Sequence, residues 1–139
     1  MYNCTILIVV ILIDASALLT VLFNEPEAEH IKELCIGAEL IAPECIDFEI
    51  GNALSSQIKR SRLLLNDAVE LFSRSRVIPI KKYPVDIIRS LQIAGQNGIY
   101  AYDAYYLTIC ERLHVPLLTL DNQLAAIAAS LEIPVFPLR

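Results

Sequence analysis

The sequence predicts an α/β fold in three layers, with a central, mostly parallel sheet and helices on both of its faces. Two observations point there. Short β-branched apolar segments alternate with amphipathic helical patterns along the chain, the signature of βαβ units with right-handed crossovers. Of the 139 residues, 55% are hydrophobic and 19% charged, a balance that fills a core and excludes a disordered chain. The length fits a single domain, residues 1–139, and no repeat, linker or low-complexity tract divides it. In open parallel sheets ligands gather beyond the carboxyl ends of the strands, so the residues that follow each strand matter most.

The first element is the most apolar stretch, Ile6–Ile13, which is strand-like and runs into Asp14. It is far shorter than the roughly 20 residues a membrane-spanning helix needs. No basic region precedes it and no small-residue cleavage site follows, so a signal peptide is not expected and the chain reads as cytoplasmic. Ala15–Phe23 has a helical pattern, and Pro26 opens an amphipathic segment, Glu27–Ile36, whose Glu-rich first turn suits the helix dipole. Leu40–Ala42 is a short strand. A long helix follows from about Glu44 to Arg60, then another near Asn66–Arg76. Val77–Ile80 makes a further strand. Pro84 starts a helix that stops near Gly95 or Gly98, and Tyr102–His114 forms the next, bounded by Pro116. Leu117–Leu120 is a strand, Asp121–Leu131 an Ala-rich helix, and Ile133–Phe136 a last short strand whose prolines suit a sheet edge.

Charge and cysteine usage narrow the chemistry. The formal charge of −5 argues against phosphate capture by the surface as a whole. Yet Lys59, Arg60, Arg62, Arg74, Arg76, Lys81 and Lys82 put seven of the eleven basic residues in one 24-residue window with two acids, a net +5 beside −10 elsewhere. That separation fits a basic surface next to an acid-rich pocket, and it fits a solvated helical face equally. Cys4, Cys35, Cys45 and Cys110 form no CxxC pair, and none has chelating spacing to His30 or His114, so zinc is not expected and each reads as a small buried hydrophobe.

Two carboxylates directly follow strands: Asp14 after the first and Asp121 after Leu117–Leu120. If both strands are central and parallel, the two side chains share one crevice. Each also has a plain structural explanation as the N-cap of the helix that follows, as does Asp103 near the start of Tyr102–His114. Glu49 lies inside a helix and caps nothing. On that helix Ile46, Ile50, Ala53 and Leu54 form the apolar stripe, with Asp47 and Glu49 flanking it on opposite sides, and periodicity does not choose between them.

The order of motifs resembles the PIN-domain family, especially the VapC-type toxins of bacterial and archaeal toxin–antitoxin pairs. The matching pieces are Ile11-Leu12-Ile13-Asp14-Ala15-Ser16-Ala17-Leu18, then Glu25-Pro26-Glu27-Ala28-Glu29, then Ala42-Pro43 leading to Glu49-Ile50-Gly51-Asn52-Ala53-Leu54. Tyr102-Asp103-Ala104-Tyr105-Tyr106-Leu107 and Thr119-Leu120-Asp121-Asn122-Gln123-Leu124 complete them. No single piece is specific, but the ordered set spans nearly the whole chain. Met1 to Val10 precede the short beginning that such a first strand usually has. Carried across by motif, the family's acidic residues fall on Asp14, Glu49, Asp103 and Asp121, which leaves Asp47 a bystander.

The resemblance implies a PIN-like sandwich and an endoribonuclease in which the four carboxylates hold Mg²⁺ or Mn²⁺, since oxygen-only ligation selects hard cations. Carboxylates sharing a crevice repel one another, by roughly 4 kcal/mol for a pair 4 Å apart at an effective dielectric of 20, and a divalent ion relieves that repulsion. The expected reaction is in-line attack of water on an RNA phosphodiester, leaving 5′-phosphate and 3′-hydroxyl ends, with Asp14, Asp103 and Asp121 as principal ligands. Glu49 serves as ligand or water-orienting base. Ser16 is expected to hydrogen-bond a ligand or phosphate, and Lys59, Arg60 and Arg62 to touch the RNA backbone. The expected partners are an antitoxin protein and a second copy of the chain in a homodimer. Tyr100, Tyr102, Tyr105 and Tyr106 crowd around Asp103, where packing or base stacking would each account for them.

Other readings fit less well. An RNA-processing or quality-control nuclease that is not a toxin stays within the family. A non-catalytic α/β module with an acidic pocket, such as a receiver domain, wants paired early acids and a phosphorylatable Asp after a middle strand, where this chain has Ile80-Lys81. A haloacid-dehalogenase-type phosphatase wants a second Asp where Ser16 stands. The four glycines, Gly37, Gly51, Gly95 and Gly98, form no phosphate-cradling loop, and a Ser or Cys hydrolase lacks a well-placed histidine.

Overall fold

In the computed structural model, which describes residues 7–136, the elements follow in this order: β1 (Val10–Ile13), α1 (Ala15–Leu22), α2 (Ala28–Cys35), β2 (Glu39–Pro43), α3 (Ile46–Lys59), α4 (Leu65–Val77), β3 (Ile80–Tyr83), α5 (Ile87–Asn97), α6 (Ala101–Leu113), β4 (Leu117–Leu118) and α7 (Asn122–Ser130). The strands form one sheet in the order β3-β2-β1-β4, with every pairing parallel. Helices α1 to α4 pack among themselves, α5 packs on α6, and α6 lies against β1, β2 and β4. The sheet is thus flanked by helices as the alternation of periods predicts.

Parallel strands covered on both faces must be apolar throughout. Ile11, Leu12, Ile41, Leu117 and Leu118 are fully buried accordingly, in one continuous cluster with Ile46 and Ile50 of α3 and Leu107 and Ile109 of α6. The chain builds outward from β1 through β2 to β3, then returns to the other side of β1 with β4. Strand order reverses between β1 and β4, where a crevice opens in this kind of sheet.

Several boundaries differ from the sequence reading, each for a stated physical reason. Ile6 and Cys4 lie outside the described residues. Within the rest of Ile6–Ile13, Leu7, Ile8 and Val9 are exposed and outside the strand, because the ladder with β2 begins only at Val10↔Glu39. The strand placed at Val77–Ile80 is instead Ile80–Tyr83: α4 runs through Val77, and β3 takes its register from Leu40↔Ile80 to Pro43↔Tyr83. The helix after Pro84 starts at Ile87, capped by Asp86, whose carboxylate accepts the Arg89 N–H at 3.0 Å, and it ends at Gly98, whose φ of 64° is one that side chains rarely adopt. The strand at Ile133–Phe136 is reduced to a single bridge, Leu117↔Val135, beside β4. Pro134 cannot donate to a ladder and contributes its carbonyl alone, to Leu117 N at 2.8 Å.

The basic window is also divided. Arg74 pairs with Glu70 at 2.7 Å on the surface of α4, while Arg76 at 3.6 Å and Lys82 at 2.6 Å converge on Asp47. Asp47 therefore ties α3 to α4 and β3. Ile41 sits at the centre of β2, so Ile41→Ala is expected to cost about 2–5 kcal/mol by lost burial and cavity formation. Urea denaturation measures this, and a loss below about 1 kcal/mol would show that β2 is not central to the core.

Candidate active site

The site grows from the parallel pairing of β1 with β4. Leu12 faces Leu117 and Ile13 faces Leu118, so the next residues, Asp14 and Thr119, stand opposite each other as their strands end. Both are buried, at 4% exposure. The Thr119 hydroxyl donates to Asp14 Oδ2. Asp14 Oδ1 accepts from the Ser16 hydroxyl at 2.7 Å and from the Ala17 N–H at 2.9 Å, which caps α1. Ser16 Oγ in turn accepts the Leu120 N–H at 3.0 Å, and Thr119 Oγ1 accepts the Asp121 N–H at 3.0 Å. These bonds pull Thr119 and Leu120 out of the ladder, which is why β4 stops at Leu118 and not at Leu120.

Asp121 caps α7: its Oδ1 accepts from Gln123 N at 2.9 Å and Leu124 N at 3.0 Å. Its Oδ2 has no hydrogen-bond partner among the described residues. Capping thus explains part of Asp14 and part of Asp121. It does not explain Asp103, because α6 begins at Ala101 after Tyr100 with no side-chain cap, and Asp103 lies inside the first turn without a hydrogen bond among the described residues. Glu49, on α3, is half-buried, and its Oε1 accepts from the Tyr106 hydroxyl at 2.9 Å and the Cys45 thiol at 3.7 Å.

Electrostatics link the four into one group. Burial raises the carboxyl of Asp14 above its ordinary value, and the charge of Asp121 adds to the rise against the hydrogen bonds that lower it. Burial pushes Glu49 up to about 7, with Asp103 and Asp14 contributing the repulsion. Asp103 is raised by burial and then by Asp121. Repulsion therefore runs from Glu49 to Asp14 and Asp103, and from both of those to Asp121. No Lys or Arg forms an ion pair with any of the four among the described residues. The set consists of hard oxygen donors with uncompensated charge, which fits a divalent cation such as Mg²⁺ or Mn²⁺ and does not fit a soft metal. As they stand, no three such side chains among the described residues converge tightly enough to enclose an ion; a cation would have to draw the carboxylates closer.

A groove of about 600 Å³ opens beside Glu49, walled by Leu19 of α1, Phe48, Asn52 and Ala53 of α3, and Tyr102 of α6. Of the tyrosines around Asp103, Tyr100 and Tyr102 are exposed, Tyr105 packs edge-on to Tyr102 with centroids 5.5 Å apart, and Tyr106 is 2% exposed. The acids expected at the site, Asp14, Glu49, Asp103 and Asp121, are near enough to raise one another's pKa values without closing around one point, and Ser16 is bonded to Asp14. Lys59, Arg60 and Arg62 do not join them. They are exposed at the C-terminal end of α3 and the turn after it, with Lys59 about 15 Å along the helix from Glu49 at 1.5 Å per residue.

Three residues that touch these acids were given no role at the site by the sequence reading. Thr119 was visible as the position in register with Asp14, had the pairing of the strands been known. Tyr106 is three residues beyond Asp103 and so on its helical face, and Cys45 is one turn before Glu49. Cys45 is no inert core residue, since it is half-exposed and donates to Glu49.

The raised carboxyl groups give a signed pH dependence. A folded-state value above the unfolded one means that the native protein binds more protons between the two, so stability falls as pH rises through that window. For Glu49 the window runs from its ordinary 4.5 to about 7, and Asp14 and Asp103 act in the same direction. In EDTA the melting temperature is expected to fall between about pH 5 and pH 7.5, with a smaller fall in Glu49→Gln. A flat or rising profile would contradict the burial of these charges.

The PIN domain family matches residues 11–130, a span that contains all four carboxylates. The VapC ribonuclease Mb0985 of Mycobacterium bovis is 30% identical over 115 residues, 83% of this chain and 88% of that protein. The crystal structure of PAE2754 from Pyrobaculum aerophilum superposes with a TM-score of 0.69 at 25% identity, over 86% of this chain and 79% of that one. A toxin–antitoxin complex from Klebsiella pneumoniae superposes with a TM-score of 0.63 at 15% identity, over 91% and 95%, and shares the fold. This chain belongs to the PIN-domain family and is similar within it to the VapC ribonucleases.

Proposed function

We propose that the chain is a metal-dependent endoribonuclease, the toxin of a VapBC-type toxin–antitoxin pair, with Asp14, Glu49, Asp103 and Asp121 as its active centre. The observation that supports the reading is the electrostatic coupling of four carboxylates, with no basic partner among the described residues, in a chain of this family. The name of its Mycobacterium bovis relative supports RNA as the substrate. The toxin–antitoxin complex from Klebsiella pneumoniae supports an antitoxin as partner. A cytoplasmic location and a homodimer belong to the same reading.

Each side chain has a distinct part in hydrolysis. Asp14, with both oxygens already engaged by hydroxyl and amide donors, is a rigid anchor whose negative charge fixes the place of the cation. Asp103 and Asp121 present oxygens with no hydrogen-bond partner among the described residues and supply the remaining ligands. Glu49 turns Oε1 to Tyr106 and Cys45, which leaves Oε2 to orient the attacking water and take its proton. A divalent cation held by these carboxylates would supply Lewis acidity toward the phosphate. The water oxygen bonds to phosphorus as the bond to the 3′ oxygen breaks, the water's proton goes to Glu49, and the leaving 3′ oxygen takes a proton from bulk solvent to become the hydroxyl. Ser16 steadies Asp14 by donating its hydroxyl to Oδ1 at 2.7 Å.

Cleavage of total RNA by the purified protein in Mg²⁺, Mn²⁺ or EDTA tests this directly. EDTA is expected to abolish cleavage. Asn caps a helix as well as Asp, so Asp14→Asn is expected to fold. Asp14→Asn and Asp103→Asn are each expected to lose more than the roughly 10- to 100-fold typical of residues that only support a metal ligand. Mn²⁺-stimulated cleavage persisting in both variants would refute the site.

A further inference from the structure

We infer that Tyr106 is a positioning residue of this active site: through its hydroxyl it fixes Glu49 in place across the gap between α6 and α3, with the Cys45 thiol as a second, weaker donor to the same oxygen. The inference rests on the proposed nuclease reading and adds to it the means by which one carboxylate is held.

Glu49 differs from the other acids in how it is placed. Asp14 and Asp121 are short side chains held by backbone amides at helix starts. Glu49 lies in the first turn of α3 on a longer, more flexible side chain, and no backbone donor reaches its carboxylate among the described residues. Its one close partner is the Tyr106 hydroxyl at 2.9 Å, and the Cys45 thiol approaches the same Oε1 at 3.7 Å. Two donors on Oε1 leave Oε2 unengaged, so the carboxylate is held with one oxygen facing the protein and the other open.

Tyr106 can hold that geometry because it is itself immobile. Its ring is 2% exposed and packs in the core cluster, and a buried phenol requires a hydrogen-bond partner. It is three residues beyond Asp103 on α6, on the same helical face. The bond from Tyr106 to Glu49 therefore sets the separation between the carboxylates of Asp103 and Glu49, which sit on different helices. A residue that orients a metal-binding carboxylate in this way typically contributes about 10- to 100-fold in metal affinity or activity.

Tyr106→Phe removes the hydroxyl and keeps the buried ring, and wild type, Tyr106→Phe, Glu49→Gln and the double variant can be compared by Mn²⁺ titration calorimetry and steady-state cleavage of an RNA oligonucleotide. Tyr106→Phe is expected to weaken Mn²⁺ binding and lower kcat by about tenfold or more with KM unchanged. The double variant is expected to match Glu49→Gln alone, because the hydroxyl acts through Glu49. Cys45→Ala is expected to show a smaller loss of the same kind, and Cys45→Ser to restore it. Unchanged Mn²⁺ affinity and kcat in Tyr106→Phe, or an equal loss with and without Glu49, would overturn the positioning role while leaving the nuclease reading intact. A wild-type protein that neither binds Mn²⁺ nor cleaves RNA would overturn both.

Discussion

Everything at the carboxyl end of the sheet depends on the register between β1 and β4. Parallel pairing of Leu12 with Leu117 and Ile13 with Leu118 sets two strand ends side by side, 105 positions apart in the chain. From that point the consequences are local: Thr119 meets Asp14, Ser16 meets Leu120, and Asp121 turns back to cap α7. A slip of one residue would turn every side chain of the short β4 to the opposite face. Fully buried neighbours on both sides make such a slip costly, which is how an apolar core determines the position of a polar site.

The site itself works against the stability of the fold that holds it. Buried carboxylates without basic partners are destabilising, and sequences keep such arrangements where function needs them. The hydroxyls of Ser16 and Thr119 and the Ala17 amide offset part of the cost at Asp14, and Tyr106 does so at Glu49. None of these neutral donors removes the repulsion among the four charges. A hard divalent cation would, and the charge that destabilises the centre is the same charge that would bind it.

Much of this was legible in the sequence. The alternation of periods pointed to the layered architecture, while Asp14 and Asp121 were visible as acids following strands, a position that helix capping explained equally well. The choice of Glu49 over Asp47 was not available from periodicity, since both flank the apolar stripe of α3. It came from the resemblance, and Asp47 stands against Lys82 and Arg76. The basic window misled in part because sequence proximity does not reveal which charges are already paired. Boundaries moved where pairing partners, invisible in one dimension, decide them: β1 begins only where β2 can meet it, and Pro134 leaves a single bridge in place of a strand. Tyr106 looked like one of several packing tyrosines, and only its burial beside Glu49 distinguishes it from the exposed Tyr100 and Tyr102.

The proposal that Asp14, Glu49, Asp103 and Asp121 hold one cation is most directly tested by anomalous diffraction from crystals grown with Mn²⁺. Density is expected in the crevice between β1 and β4, with oxygens from at least three of Asp14, Glu49, Asp103 and Asp121 at about 2.1 Å or slightly more, the distance range of small hard divalent ions. Manganese bound elsewhere on the protein, or held in the crevice by one of these carboxylates alone, would contradict it.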